Sequence, residues 1–233
     1  MSYPVGALPV VPLRNTVIFP GITQTLKVGR DKSKKAVDFS TNKDRWIFTV
    51  TQKDSDELID LEKNLHSFGT ICKIESVKAT SDSNYFVVVR GVYRARAIDY
   101  FNADGCVQTH VEKFDDVLDM DKATESAFLS SLKTMGFDIL SLIPGGSRES
   151  VLELIKGVDD LALLGHLAAA NLDLPLAEKQ KLLEEFNLRV RTLHLLTLLQ
   201  EFKQSMIVHN DIREKLSSKL GQTQREHILR EQL

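Results

Sequence analysis

Residues 188–233 read LRVRTLHLLTLLQEFKQSMIVHNDIREKLSSKLGQTQREHILREQL, and the rest of the chain is organised around this stretch. It holds no proline and a single glycine, Gly221, with apolar residues at helical spacing almost to its last residue. Leu188, Leu195, Leu199, Phe202 and Met206, with Leu193 and Leu196 beside them, form a face wide enough for a globular core. The face then narrows to Ile212, Leu216 and Leu220, followed by Thr223 and His227, between Arg213, Glu214, Lys215, Lys219, Arg225 and Glu226. A narrow seam with charged flanks suits a helix that leaves its domain and meets another helix. No glycine, asparagine or proline stop signal follows, so the sequence is expected to end within a helix.

Outside that stretch, composition sets wide bounds. A chain of 233 residues holds one large domain or two smaller ones, and 42% hydrophobic with 27% charged residues is ordinary for a globular protein. The net charge of −2 supplies no overall attraction to nucleic acid or an anionic membrane. No apolar run approaches a membrane span, and the N-terminus lacks the basic and apolar regions of a secretory signal. Cys72 and Cys106 stand without a CxxC partner or neighbouring histidine, which fits reduced, buried thiols and a cytoplasmic location.

Residues 8–114 read as strands. Leu8 to Leu13 is extended around two prolines, Thr16 to Phe19 reads as a second strand, and Pro20-Gly21 is a turn pair. Thr25 to Val28 is another short strand, and Asp31 reads as the N-cap of a helix from Lys32 to Phe39. Trp46 to Val50 is a buried strand, and 52–66 is a polar surface loop. Strands follow at Gly69 to Thr80, Tyr85 to Arg90 and Val92 to Phe101, with a hairpin turn at Asp82-Ser83-Asn84 and a bulge or kink at Gly91. Cys106 to Phe114 alternates as an edge strand. Several strands and one short helix imply a small curled sheet or partly open barrel. At Asp115-Asp116 the period changes to about 3.6, and helices are expected at 121–140, 148–156, 159–170, 176–186 and 188–233. Ser147, Asp159 or Asp160, and Asn187 are the expected caps, with Leu174-Pro175 as a break.

No catalytic or metal-binding motif emerges. GxSxG and HExxH are absent, and Gly145-Gly146-Ser147 lacks the phosphate-loop pattern and reads as a turn and cap. His166 and His194 lie beside leucines on helices and read as partly buried, hydrogen-bonded histidines. Arg90, Arg94 and Arg96 could form a basic stripe near Tyr85, Phe86 and Tyr93, but a solvated, salt-bridged face is the preferred reading. Phe19 and Ile22 flank the Pro-Gly turn, where an apolar side chain is more available for contact than usual.

Leu8-Pro9-Val10-Val11-Pro12-Leu13-Arg14-Asn15-Thr16-Val17-Ile18-Phe19-Pro20-Gly21 resembles the opening LPvlPLRdtVvFPg of the Lon protease N-terminal domain. Val28 to Ser33 resembles the family's VGRxKS, and Phe68-Gly69-Thr70 and Val89 to Arg96 resemble its vGt and VeGlxRar segments. Glu178 to Glu184 resembles EKQxlLE, and Thr223 to Leu233 resembles tQrEyyLrEQl, with His227-Ile228 in place of a tyrosine pair. Gly221 stands where the family has a charged helix former, and glycine inside a helix costs about 1 kcal/mol.

The resemblance implies an α+β chain with two domains. A PUA-like β-domain over 1–114 is followed by a linker over 115–121, a helical bundle over 122–205 and a protruding coupling helix over 206–233. It implies the non-catalytic part of an ATP-dependent serine protease whose ATPase module, ATP and Mg site and Ser–Lys dyad lie beyond residue 233. This part itself is expected to hold no catalytic residue, cofactor or metal. Its implied role is capture of unfolded or degron-bearing proteins, with Phe19, Ile22, Tyr85, Phe86 and Val88 as candidate contacts. It is also expected to support a homohexamer while remaining a monomer or weak dimer alone, with contacts along Ile212, Leu216 and Leu220 and a pivot at Gly221. The alternatives are a nucleic-acid-binding module using Lys32, Lys34, Lys35, Arg90, Arg94 and Arg96, or a stand-alone adaptor. No membrane partner is expected.

Overall fold

A computed structural model describes residues 6–54, 63–143 and 148–231, with side chains described as far as Leu216. The first half is one mixed sheet. Strand β1 (Leu8–Leu13) runs parallel to β3 (Trp46–Thr51), pairing Val10 with Phe48 and Pro12 with Val50. Strand β3 pairs antiparallel with β4 (Phe68–Ala79), and β4 with the long β5 (Tyr85–Ala97). The N-terminal half of β5 carries β2 (Thr23–Val28) and its C-terminal half carries β8 (Val111–Phe114). Beyond β1 lie β7 (Cys106–Thr109) and β6 (Phe101–Ala103). The order β2-β5-β4-β3-β1-β7-β6 curls without a closing ladder, and helix α1 (Asp31–Thr41) packs Ala36 and Val37 into its concave side.

Both faces of β3 are buried, as its unbroken apolar and threonine run requires. One face joins Val11, Leu26, Ile47, Cys72 and Val89 around α1, and the other joins Leu8, Trp46, Phe48, Ile71 and Val107. Four local expectations change. Thr16 to Phe19 is not a strand; residues 14–19 cross over the sheet as an irregular segment. Asp31 is the first helical residue rather than the cap: Arg30 takes the cap position without a side-chain bond, and Asp31 pairs with Lys34 at 2.9 Å. The two strands expected around Gly91 are one, with a register shift opposite Ile71 and Cys72. The edge strand expected from Cys106 to Phe114 breaks at His110, so β7 and β8 serve opposite ends of the curled sheet. Of the described residues in 52–66, Gln52, Asn64 and Leu65 are buried, and Asn64 makes two bonds of 2.8 Å with the backbone of Asp54.

The second half is helical: α2 (Lys122–Leu142), α3 (Arg148–Gly157), α4 (Leu161–Asn171), α5 (Leu176–Glu184) and α6 (Leu188–Glu231). Asp121 caps α2 by accepting from the Thr124 amide at 2.8 Å, Asp160 caps α4 through Leu163 at 2.7 Å, and Asn187 accepts from Val190 at 3.1 Å at the start of α6. The cap expected at Ser147 lies outside the described residues. Helix α6 remains attached through Lys203 to Asp138 at 2.7 Å and through Asn210 to the Leu142 carbonyl at 3.0 Å. From Asp211 to Leu216 every side chain is exposed. The helix runs through Gly221, the expected pivot, to Glu231.

Candidate functional site

The two halves are joined by a plug and a latch. The plug is the segment Val17–Ile22. Its turn is held to the sheet by Gly21 donating to the Gly91 carbonyl and Gly91 donating to the Ile22 carbonyl, both at 2.9 Å. A Cβ on Gly91 would lie 2.3 Å from the Phe19 carbonyl oxygen, so only glycine lets the segment cross β5 so closely. Val17, Phe19 and Ile22 then enter the helical core beside Leu161, Leu164, Leu182, Leu188, Leu195 and Leu199. Phe19 is fully buried and stacks on His166 with ring centroids 5.5 Å apart. The apolar pair expected at a contact surface is therefore interior. Gly21 at the turn is exposed, while the side chains of Phe19 and Ile22 are covered by helices remote in sequence.

His166 donates through Nδ1 to the Pro20 carbonyl at 3.1 Å, which leaves Nε2 unprotonated and without a hydrogen bond. Burial, reinforced by the positive charges of Arg191 and Arg94, pushes its pKa down to about 3. Because the unfolded chain binds this proton near pH 6.5 and the folded chain does not, the stability His166 contributes is complete above 6.5 and declines as pH falls towards 3. His166→Gln, which keeps a donor for Pro20, is expected to show a shallower acid loss of stability than the parent between those limits. Superimposable urea midpoints against pH for the two proteins would show that His166 does not carry this dependence.

The latch is ionic. Arg94 on β5 and Arg191 on α6 are both buried and share Asp116, which Arg191 holds through two bonds of 2.8 and 2.7 Å and Arg94 holds through Nη2. Arg94 also donates to the carbonyls of Leu183 at 3.3 Å and Glu185 at 2.6 Å, at the negative end of α5, and lies over the Phe186 ring. Burial and the neighbouring Arg191 lower the Arg94 pKa to about 9, which leaves it charged at neutral pH. Around the latch, Phe114 stacks on Phe186, Phe68 meets Phe114 edge-on and lies tilted against Phe186, all with centroids within 5.7 Å, and Gln180 donates to the Phe68 carbonyl at 3.0 Å. The 115–121 linker is a strap: Val117 donates to Phe186 and accepts from Leu188.

What the β-domain leaves exposed is the outer face of β2, β5 and β4. Register places Phe86 between Lys27 and Lys78, and Val88 between Thr25 and Ser76. Phe86 is 42% exposed and Val88 half-buried, forming a short apolar strip with a lysine on each side. Tyr85 points the other way, packing on the β-core with its hydroxyl 3.4 Å from Asp38. A cleft of about 460 Å³ opens beside this face, between β1 and β2 where the barrel fails to close. Among the described residues, its lining includes Arg14, Lys27 and Arg30 and contains no histidine, cysteine, aspartate or glutamate.

The basic stripe does not assemble. Arg94 is interior, Arg96 pairs with Glu112 at 2.7 Å, Arg90 faces Glu75 at 3.4 Å and Lys34 pairs with Asp31, while Lys32 and Lys35 are exposed on α1. His194 bonds Glu178 at 2.8 Å. On the arm, Ile212 and Leu216 are 51% and 56% exposed; the Leu220 side chain lies outside those described. Sequence reading missed the latch, although Arg191 carried a signal: it sits between Leu188 and Leu195 on the apolar face of α6, where a charge needs a buried partner. Among the described residues, no group of three or more histidine, cysteine or carboxylate side chains could hold a metal, and no helix is long and apolar enough to cross a membrane.

Fold and surface thus define a binding module, a curled β-domain locked onto a helical bundle with an extended helical arm. Residues 7–201 match the family model of the ATP-dependent protease La (LON) substrate-binding domain, and the chain belongs to that family. A Lon protease 1 of Bdellovibrio bacteriovorus is 37% identical over 233 residues, covering 100% of this chain and 29% of the relative. A Lon protease 2 of Myxococcus xanthus is 30% identical over 226 residues, covering 97% and 27%. The chain therefore spans less than a third of the length of these relatives. The fold matches the N-terminal domain of a Mycobacterium avium complex Lon protease with a TM-score of 0.69 at 18% identity, covering 84% of this chain and 98% of that one. It also matches a Lon N-terminal domain protein from Xanthomonas campestris with a TM-score of 0.59 at 20% identity, covering 83% and 98%.

Proposed function

We propose that this chain captures unfolded or degron-bearing polypeptides for an ATP-dependent Lon-type protease of the cytoplasm. The observation that carries this reading is the match of residues 7–201 to a family described by its substrate-binding role. The apolar strip of Phe86 and Val88 supplies a contact that a folded client would not satisfy, since folded clients bury their apolar side chains. So short a strip binds weakly, and display on several subunits would raise the overall affinity without new contacts. In a homohexamer, the exposed side of α6 with Ile212 and Leu216 would meet a neighbouring helix, and the arm would couple capture to an ATPase ring that binds ATP and Mg.

The test is binding of one client in two states, a disulfide-containing protein with its bridges intact and the same protein reduced and alkylated. The unfolded form is expected to bind at least tenfold more tightly, and Phe86→Ser is expected to erase most of that difference while leaving the melting temperature unchanged. Equal binding of both forms would count decisively against a client-capture role.

A further inference from the structure

We propose that the outer face of β2, β5 and β4 selects clients by charge, and that Lys27 and Lys78 recognise a polypeptide segment carrying a carboxylate on each side of a large apolar residue. This rests on the client-binding role proposed above and names the chemistry that role would favour. Phe86 is the cross-strand neighbour of Lys27 on β2 and of Lys78 on β4, so the three side chains stand in one row on one face. All three are exposed. The next row, Thr25, Val88 and Ser76, carries no charge. Among the described residues, no hydrogen bond, ion pair or ring contact engages either lysine ammonium. Two other cations of the sheet differ: Lys73 lies over Trp46 at 4.6 Å, and Lys113 lies over Tyr93 at 4.7 Å while pairing with Asp115.

An apolar side chain between two uncommitted cations reads two properties of a ligand at once. Covering Phe86 with a client's apolar residue is favourable whatever sequence surrounds that residue. The same contact takes water from the flanking ammonium groups, which is favourable only if carboxylates arrive with the client. A lysine or arginine beside the client's apolar residue would instead meet a like charge. Strand geometry then sets the spacing. Directly opposed residues lie about 5 Å apart between Cα atoms, so roughly 10 Å separates Lys27 from Lys78. An extended segment laid across the strands presents positions −2, 0 and +2 on one side, with the outer two about 13 Å apart. The flexible four-carbon lysine stems cover that difference. A nucleic-acid strand fits less well, because its backbone is tracked by a run of cations. Here the next cations on β5 and β4 are committed: Arg90 faces Glu75 at 3.4 Å, and Lys73 donates to the Asp44 carbonyl.

The 233-residue chain would be titrated at low ionic strength with labelled threonine–serine peptides built around one leucine. The first carries glutamate at −2 and +2 from the leucine, the second has the same composition with both glutamates at one end, and the third has lysine in place of glutamate. The first is expected to bind at least tenfold more tightly than the third and at least threefold more tightly than the second. Lys27→Gln/Lys78→Gln is expected to lower its affinity tenfold or more. Lys32→Gln/Lys35→Gln, an equal change of net charge at exposed residues of α1, is expected to leave it unchanged. Lys27→Glu/Lys78→Glu is expected to reverse the preference in favour of the lysine peptide, a result that loss of folding cannot produce. Equal binding of the first peptide and either of the others, or equal losses in the two glutamine pairs, overturns the proposal. Preferred binding of an oligothymidine, lost in Lys27→Gln/Lys78→Gln, overturns it in favour of nucleic acid. Phe86 ring resonances that move with protein concentration before any peptide is added overturn it in favour of a second copy. If the unfolded client binds the parent and Lys27→Gln/Lys78→Gln equally but not Phe86→Ser, client capture stands and charge selection fails; if no unfolded client or peptide binds the parent, both fail.

Discussion

Asp116→Ala is expected to destabilise the protein by roughly 3–5 kcal/mol, the range for leaving a buried charge without its partner. The reason is the asymmetry of the latch. Two guanidinium groups, with side chains only 3% and 5% exposed, converge on one carboxylate, and their other oxygen partners are the carbonyls of Leu183 and Glu185. Without Asp116 two like charges remain close together in a poorly solvated site, a worse state than losing an ion pair at the surface. The latch also couples the sheet to α6 through Arg94 and Arg191, so the urea transition is expected to separate into two steps as the β-domain and bundle lose their common fate. Asp116→Asn, which retains an acceptor, should lose less, and Asp119→Ala on the exposed strap should stay within about 0.5 kcal/mol of the parent. A single transition with an unchanged midpoint in Asp116→Ala would mean that the latch does not hold the two halves together.

Phe19→Ala has the second large expected effect, about 3–5 kcal/mol for truncating a fully buried aromatic side chain. Phe19 leaves the sheet and fills the centre of the helical core, so the cavity would open on both units at once. It would also open beside His166, whose low pKa comes first from burial. The imidazole is therefore expected to titrate closer to 6.5 in Phe19→Ala than in the parent, followed by its ring proton shifts. This joint readout separates a true plug from a surface contact: an exposed Phe19 would give a stability change below about 1 kcal/mol and no shift in His166. Both outcomes bear on function, because a residue that seals the two halves together is not free to touch a client.

Much of the architecture was legible in one dimension. The β-branched and aromatic run from Trp46 to Val50 marked a buried strand, the change of period after Asp115 marked the turn to helices, and Asp160 and Asn187 announced helix starts because each can accept from an amide three residues on, whereas the cap at Asp121 was not read from the sequence. The candidate surface was legible only in part. Of the residues offered as contacts, Phe86 is exposed, whereas Tyr85 belongs to the β-core and Phe19 and Ile22 to the helical core. Thr16 to Phe19 has strand composition, but its backbone forms no ladder; the carbonyls of Thr16 and Ile18 accept from the Thr51 and Thr70 hydroxyls instead.

The sequence by itself determined which residues are apolar, with what period, and where helices begin, since these depend on neighbours within a few positions. It also determined family membership, because the matching segments run in order along the chain. Only the tertiary structure decided what covers each apolar face. Arg94 and Arg96 are two apart on one strand and share a side, but Arg94 is roofed by the α5–α6 turn while Arg96 stays in solvent with Glu112. The open seam at β2 likewise appears in no local pattern. Among the described residues, it exists because β7 leaves β1 after two pairings and β5 is the one strand beside β2. Burial and edge pairing are properties of partners that arrive from far along the chain, so they are settled when the chain folds and not before.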